Sequence, residues 1–447
     1  MHELSTQKVK IIATIGPASD SREKILELAK AGVDVFRINL SHAQREEIFE
    51  RVNRIRQAEK IFGQPLAVMG DLVGPKIRIG TVEPGVILEK GKKLKILTKQ
   101  TYGSVESISI NFPQIIKNLE KGNEIFLGDG EIKLEVIEKI PEGILTKIVV
   151  GGELRARMGF SSHGISMRFP LTEKDEADIN MMIEAGADAL AVSFVQTKHN
   201  IEDVRKLLPD RNPPMLIAKI ETLEAVENAE EILEVSDGIM VARGDLGFSV
   251  PLPELPHIQK RLIDLCQRKS KPVITATQML ESMIKSYFPT RAEVTDVANA
   301  ILDGTDAVML SAETAIGSFP VETVRTMSSI IRAAETRVAE KQFEVSETVP
   351  DSISASTVRV ADEINAPLII VFTEGGYTAR VIARHRPHQP IFALSPNQRT
   401  VRQLCFSGGV FPFLTKAISN FDQVLTLSKK VIKDNQYMKM KKGEPFV

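Results

Sequence analysis

A chain of 447 residues has room for roughly two to four domains and a sizeable core. With 43% hydrophobic residues, 26% charged residues and a net charge of −1, it lacks the concentrated positive charge of a protein whose main partner is nucleic acid. Two cysteines, Cys266 and Cys405, cannot build a disulfide framework, and neither a signal-like apolar stretch nor a membrane-length run is present, so a reducing, cytoplasmic setting is expected.

In chain order, short β-branched runs at Lys10–Ile15, Val33–Leu40 and Leu66–Leu72 predict strands. Similar runs follow at Ala187–Phe194, Met215–Glu221, Gly238–Asp245, Pro272–Gln278 and Ala307–Glu313. Between most of them lie stretches with helical spacing: Arg22–Ala31, Glu173–Ala185, Leu223–Val235, Pro256–Arg268 and Glu293–Leu302. Strand–helix alternation predicts a parallel sheet, and eight strands with near-continuous apolar interiors predict a closed TIM (β/α)8 barrel. The rhythm breaks after the third strand. Residues 80–166 carry short strands punctuated by Gly, Pro and Lys-Gly pairs, the mark of an inserted all-β unit. From about residue 345 the α/β pattern resumes, with helices at Ser352–Ile364 and Thr378–His385 and strands at Pro367–Phe372 and Ile391–Leu394. The expected organisation is therefore a barrel over 1–79 and 167–343, an inserted β domain over 80–166, and a C-terminal α/β domain over 344–447.

Barrels of this kind place their chemistry at the C-terminal ends of the strands. There the sequence offers Arg37, Asn39 and Ser41 on one face of the second strand, then Asp71 running into Lys76 and Arg78. Later strands end in Lys219 and Glu221, in Arg243-Gly244-Asp245, in Thr275 and Thr277, and in Ser311-Ala312-Glu313. Singly, each has an ordinary explanation as a solvated terminus, an ion pair or a helix cap. Convergence of cations and carboxylates from five or more strands is harder to explain by packing, because buried charge is costly without a partner. Glu221 and Asp245 supply hard oxygen donors suited to Mg²⁺, with Mn²⁺ as an alternative, and the surplus of Lys219, Arg37, Lys76 and Arg78 suits a polyanion. Neither a Walker A loop nor a GxGxxG turn after a strand is present, and no zinc-spaced Cys/His set. The residues alone lead to a Mg²⁺-dependent barrel enzyme acting on a small phosphorylated or carboxylated substrate.

At these same positions the sequence resembles the pyruvate kinase family. The matching stretches are Lys10-Ile-Ile-Ala-Thr-Ile-Gly-Pro-Ala-Ser19, Arg37-Ile-Asn-Leu-Ser-His42, Asp71-Leu-Val-Gly-Pro-Lys-Ile-Arg78, Ala191-Val-Ser-Phe-Val195 and Lys219-Ile-Glu221. They continue through Ser236–Gly247, Ala276–Ser282, Met309–Ala315, Phe372–Arg380 and Arg386–Ile391, in family order over nearly the whole chain. The resemblance implies phosphoryl transfer from phosphoenolpyruvate to ADP. It makes Glu221 and Asp245 the Mg²⁺ ligands, Lys219 the charge stabiliser beside the transferring group, and Thr277 the residue at the enolate face. It further implies that Arg37 contacts the phosphoryl group, with the Ala242-Arg243-Gly244 backbone at the substrate carboxylate and Ser311 nearby. Arg78, Asn39 and His42 resemble nucleotide contacts, and the inserted β unit resembles a β-barrel lid. A homotetramer is the assembly the family suggests.

Three departures from the family pattern carry expectations. Asp71-Leu72-Val73-Gly74-Pro75-Lys76 stands where K⁺-requiring members read Asp-Thr-Lys-Gly-Pro-Glu. This resembles the K⁺-independent branch, with Lys76 supplying the charge beside Asn39, Ser41, Asp71 and Leu72. Met158 replaces a lysine that reaches the nucleotide phosphates, leaving Arg155 or Arg157 as substitutes. Finally, the chain stops at Val447, about where the family enters its last strands, and Glu374 sits in the loop resembling an effector phosphate site, so no fructose-1,6-bisphosphate activation is expected. The alternatives are another Mg²⁺ barrel of enolate chemistry, or a degenerate paralogue kept for binding.

Overall fold

The computed structural model describes residues 7–41, 44–74, 77–128, 130–162, 171–338, 348–418, 420–435, 437–441 and 443–447. Eight parallel strands close into a barrel: β1 Lys10–Thr14, β2 Val35–Asn39, β3 Ala67–Asp71, β4 Ala189–Val192, β5 Met215–Ile220, β6 Gly238–Ala242, β7 Val273–Ala276 and β8 Ala307–Leu310. Each pairs with its sequence neighbours, and β8 returns to β1 with Ile11 opposite Val308. The strands are buried on both faces, which explains their unbroken apolar text. One face packs against the surrounding helices. The other fills the lumen with Ile12, Val35, Met69, Ile217, Met240, Ile274 and Met309. Helices start where the sequence places capping oxygens: Ser21 accepts from the Lys24 N–H, and Thr172 and Thr290 form capping boxes. Gly186, with φ +83°, ends the helix Glu173–Ala185 so that the chain can turn into β4.

A fourfold device sets the base of the barrel. Asp34, Asp188, Asp237 and Asp306 each stand one residue before an even-numbered strand. Each accepts a backbone N–H from the preceding odd-numbered strand, at Ile11 (2.9 Å), Val68 (2.9 Å), Leu216 (2.8 Å) and Val273 (3.0 Å). The terminal N–H groups of a strand would otherwise lack partners, and a buried unpaired donor is costly. Each carboxylate is in turn matched by a cation: Lys10, Arg56, Arg205 and Arg386 respectively.

The segment between β3 and β4 forms a six-stranded sheet in the order Phe160–Ser162, Glu124–Leu127, Ile132–Ile140, Gly143–Val150, Lys93–Leu97 and Ser107–Ser109. Burial alternates along Lys93–Leu97 and Glu124–Leu127, so one face makes a core of its own around Leu94, Ile125, Leu134 and Ile144. The reading of this segment as purely β misses the 3₁₀ helix Pro113–Asn118. Gly143 is required where it stands, because a Cβ there would lie 2.0 Å from the Ile96 carbonyl oxygen.

The C-terminal strands β9 Ile369–Phe372, β10 Ile391–Ser395 and β11 Val410–Leu414 form a parallel sheet flanked by helices. Sequence reading found the first two strands but not β11 or the helix Phe421–Asp434. Val410–Leu414 follows a Gly-Gly pair and contains a proline, signals that read as loop. This sheet's layer docks on the base of the barrel: Cys405 and Phe406 join the lumen core, Arg386 pairs with Asp306 at 2.9 Å, and Arg402 pairs with Glu59 at 2.6 Å. Among the described residues, no helix is long and apolar enough to cross a membrane.

Candidate active site

At the opposite end of the barrel, a cleft of about 340 Å³ lies between the strand ends and the inserted sheet. From β2, the Arg37 guanidinium donates to an Asp71 carboxylate oxygen at 2.6 Å and to Thr14 Oγ1 at 2.8 Å. From β3, the buried Asp71 carboxylate bridges two cations, its other oxygen lying 3.3 Å from Lys219 Nζ. Lys219, from β5, also contacts Glu221 at 2.8 Å and donates to Ser193 Oγ at 2.6 Å. Ser193 in turn donates to the Leu72 carbonyl, and the Phe194 N–H donates to Glu221 at 2.7 Å. Phe194 adopts φ +54°, an uncommon conformation for a bulky residue, which aims that N–H at the carboxylate.

Beyond β6, Asp245 sits exposed on the short helix Arg243–Ser249. Beyond β7, Thr277 (φ +67°) and Gln278 (φ +52°) are consecutive left-handed residues, a strained pair that needs support from outside. Arg243 provides it. Its buried guanidinium donates to the Thr277 carbonyl at 2.7 Å and the Gln278 carbonyl at 3.2 Å, and pairs with Asp296 at 2.8 Å. Its side chain is thus turned toward the β7 end, and of Ala242, Arg243 and Gly244 only Ala242 lines the cleft. Thr277 Oγ1 accepts the Gly244 N–H at 2.8 Å and donates to the Ala276 carbonyl.

Burial disfavours the charged form of Lys219, but Asp71, Glu221 and Asp245 more than offset this and hold its pKa above the ordinary value. For Asp71, desolvation is outweighed by Lys219 and Arg37, and its pKa falls. For Glu221, burial wins: with Asp245 repelling it and Lys219 only partly compensating, its pKa is raised. Two carboxylates facing one cleft with mutual repulsion form a donor set that a hard divalent cation relieves. Among the described residues there is no group of three or more metal-ligating side chains, so water and substrate oxygens would complete the coordination.

The cleft brings together Arg37, Asp71, Arg78, Lys219, Glu221, Ala242, Asp245, Thr277 and Ser311. Asn39 is not among the lining residues. Its side-chain oxygen accepts from the N–H and hydroxyl of Ser41, closing a turn at the rim. Leu72 is buried and offers only its carbonyl. His42 and Lys76 lie outside the described residues. Glu313, noted at the β8 end, is buried away from the cleft and accepts the N–H groups of Ser311 and Leu280. On the inserted sheet, Arg78 donates to the Arg157 carbonyl at 2.8 Å. Met158 packs inward with 6% exposure, while Arg155 is held by Glu131 at 2.6 and 2.9 Å. Sequence reading missed Ser193, Phe194 and Phe248 as cleft residues. Ser193 was within reach of the strand-end rule that found Ser311; Phe248 was not, since an aromatic there reads as core.

Comparison with known proteins decides the family. The family model described as "Pyruvate kinase, barrel domain" matches residues 6–324, and "Pyruvate kinase, alpha/beta domain" matches 351–447. The chain belongs to the pyruvate kinase family. It is 41% identical to the pyruvate kinase of Methylorubrum extorquens over 94% of this chain and 89% of that protein. With that of Geobacillus stearothermophilus the identity is 42%, over 94% of this chain and 74% of the relative. The crystal structure of a pyruvate kinase from Cryptosporidium parvum superposes with a TM-score of 0.92 at 36% identity, covering 99% of this chain and 93% of that one. The chain is accordingly a phosphotransferase built on the TIM-barrel fold with a C-terminal α/β domain.

Proposed function

We propose that the cleft transfers the phosphoryl group of phosphoenolpyruvate to ADP, with Mg²⁺ held by Glu221 and Asp245 and no requirement for K⁺. The observation that carries the phosphoryl-transfer reading is the Lys219 ammonium, fixed among Asp71, Glu221 and Asp245 with Arg37 alongside; independence of K⁺ rests on Leu72 and Lys76 in the sequence. In the reaction, a β-phosphate oxygen of ADP bonds to phosphorus while the bond from phosphorus to the enolate oxygen breaks. The enolate then takes a proton at carbon to give pyruvate. Lys219 and Arg37 stabilise the negative charge spread over the transferring group, from fixed positions that need no reorganisation. Its carboxylate neighbours favour the charged form of Lys219, which suits it to stabilise charge on the transferring group. Thr277 Oγ1, held by the Gly244 N–H, faces the enolate side, where it orients the proton's route. Glu221 and Asp245 would hold a divalent ion, which would supply positive charge against the phosphoryl oxygens and relieve the repulsion between the two carboxylates.

The Ala242–Gly244 backbone receives the substrate carboxylate, with Ser311 beside it. Arg78, Asn39 and His42 serve the nucleotide, and Lys76 supplies the charge of a monovalent cation, as the likeness to the K⁺-independent branch suggests. The inserted unit over residues 80–166 acts as a lid that excludes water, which would otherwise compete with ADP. Family likeness supports a cytoplasmic homotetramer. The test is an assay of phosphoenolpyruvate, ADP and Mg²⁺ coupled to lactate dehydrogenase. Pyruvate formation that requires both ADP and the divalent ion is expected, and its absence in the folded protein overturns the assignment.

A further inference from the structure

Besides the Arg243 side chain, three further points hold the helix that carries Asp245, and one of them belongs to the lid. At its start the Gly244 N–H is tied to Thr277 on the β7 side, and at its end Ser249 Oγ accepts the Leu223 N–H at 2.9 Å, just beyond Glu221. The third point is Phe248, three residues after Asp245 and so a neighbour on the same helix surface. Its ring lies 6.1 Å from that of Phe126, on the lid strand Glu124–Leu127, at a 47° tilt. Phe126 is itself covered by Lys133, whose ammonium sits 5.6 Å from the ring centroid. The lid turn is fitted to the same ring. Gly130 has φ +84°, and a Cβ there would meet Phe248 Cε1 at 3.0 Å.

We infer that Phe248 is a positioning residue. When the lid seats Phe126 and Gly130 on its ring, the Arg243–Ser249 helix is fixed and the Asp245 carboxylate is presented to the divalent cation opposite Glu221. Lid closure and metal affinity are thereby one equilibrium, coupled through an aromatic contact that supplies no metal ligand. This rests on the proposed role of Asp245 as a metal ligand.

The experiment titrates Mn²⁺ into the full-length protein, with phosphoenolpyruvate present, and reads binding by water-proton relaxation. The variants are Phe248→Ala, Phe126→Ala, the double variant, Phe248→Tyr and Asp245→Asn. Loss of one aromatic pair is expected to weaken Mn²⁺ binding about 2- to 10-fold in each single variant. The double variant should be no weaker than either single one, and Phe248→Tyr should return to the wild-type value. Phe126→Ala keeps the test intact if Phe248→Ala fails to fold, because it leaves the Asp245 helix with its own side chains. Mn²⁺ affinity unchanged in Phe126→Ala, or effects that multiply in the double variant, overturns the inference. If Asp245→Asn also leaves the affinity unchanged, the metal assignment falls with it; if Asp245→Asn abolishes binding, only the latch is lost.

Discussion

Replacing Lys219 with methionine separates the two tasks of that side chain. Its ammonium lies 2.8 Å from Glu221 and 3.3 Å from Asp71, with 13% of the side chain exposed. At an effective dielectric near 20 each contact is worth on the order of 5 kcal/mol before desolvation is subtracted. Removing one partner from such a buried set costs about 3–5 kcal/mol. Turnover should fall on the order of 10²–10³, as expected when one fixed charge donor is lost from a transition state. The stability loss should also depend on pH. In the wild type, Lys219 is raised above its ordinary 10.5, so its contribution is complete below that value and is lost only in strong alkali. Without Lys219, the Glu221 pKa, already raised above 4.5 by burial, rises further. A carboxyl raised in the folded state contributes stability below its unfolded pKa and loses it as pH rises through the folded value. The variant's melting temperature should therefore lie closest to wild type near about pH 5 and fall behind by about pH 8. Coupled turnover and thermal melts at both pH values check this. A variant within about threefold of wild-type turnover, or a melting deficit independent of pH, would refute the reasoning.

Activity in a tetramethylammonium background should change less than about twofold on adding K⁺; strong activation would contradict the role given to Lys76. Arg243→Lys keeps the charge but loses the planar fork that holds the Thr277 and Gln278 carbonyls, so kcat should drop about tenfold or more with little change in KM. Gly143→Ala sets a methyl against the Ile96 carbonyl and should unfold the inserted sheet, read as early protease cleavage within residues 80–166. Arg386→Ala leaves Asp306 short of its cation at the base of the barrel and should lower stability by about 3 kcal/mol in urea titration.

The barrel was legible because its strands are buried on both faces and separated by well-capped helices, so composition and punctuation agree. Strand β11 was not legible: its apolar run is broken by Pro412, and among the described residues its strand partner is β10, which the local text does not reveal. Charged cleft residues followed from one rule, that polar groups at strand ends converge. What that rule cannot supply is the destination of each side chain. Arg243 and Glu313 obey it in sequence, yet one braces the β7 end and the other binds backbone N–H groups. Met158 marked a missing cation, but its inward packing against Gly128 depends on the inserted sheet's own fold. Phe248 needed a partner 122 positions away, Phe126, before it could be read as more than core.

The central claim is that the cleft moves a phosphoryl group from phosphoenolpyruvate directly to ADP. Product stoichiometry tests it: pyruvate, ATP and free phosphate measured together, in Mg²⁺, for wild type and Lys219→Met. The account predicts pyruvate and ATP in equal amounts from wild type, negligible free phosphate, and a loss of both products together in the variant. Pyruvate released with free phosphate in place of ATP, or equal rates from the two proteins, would contradict it.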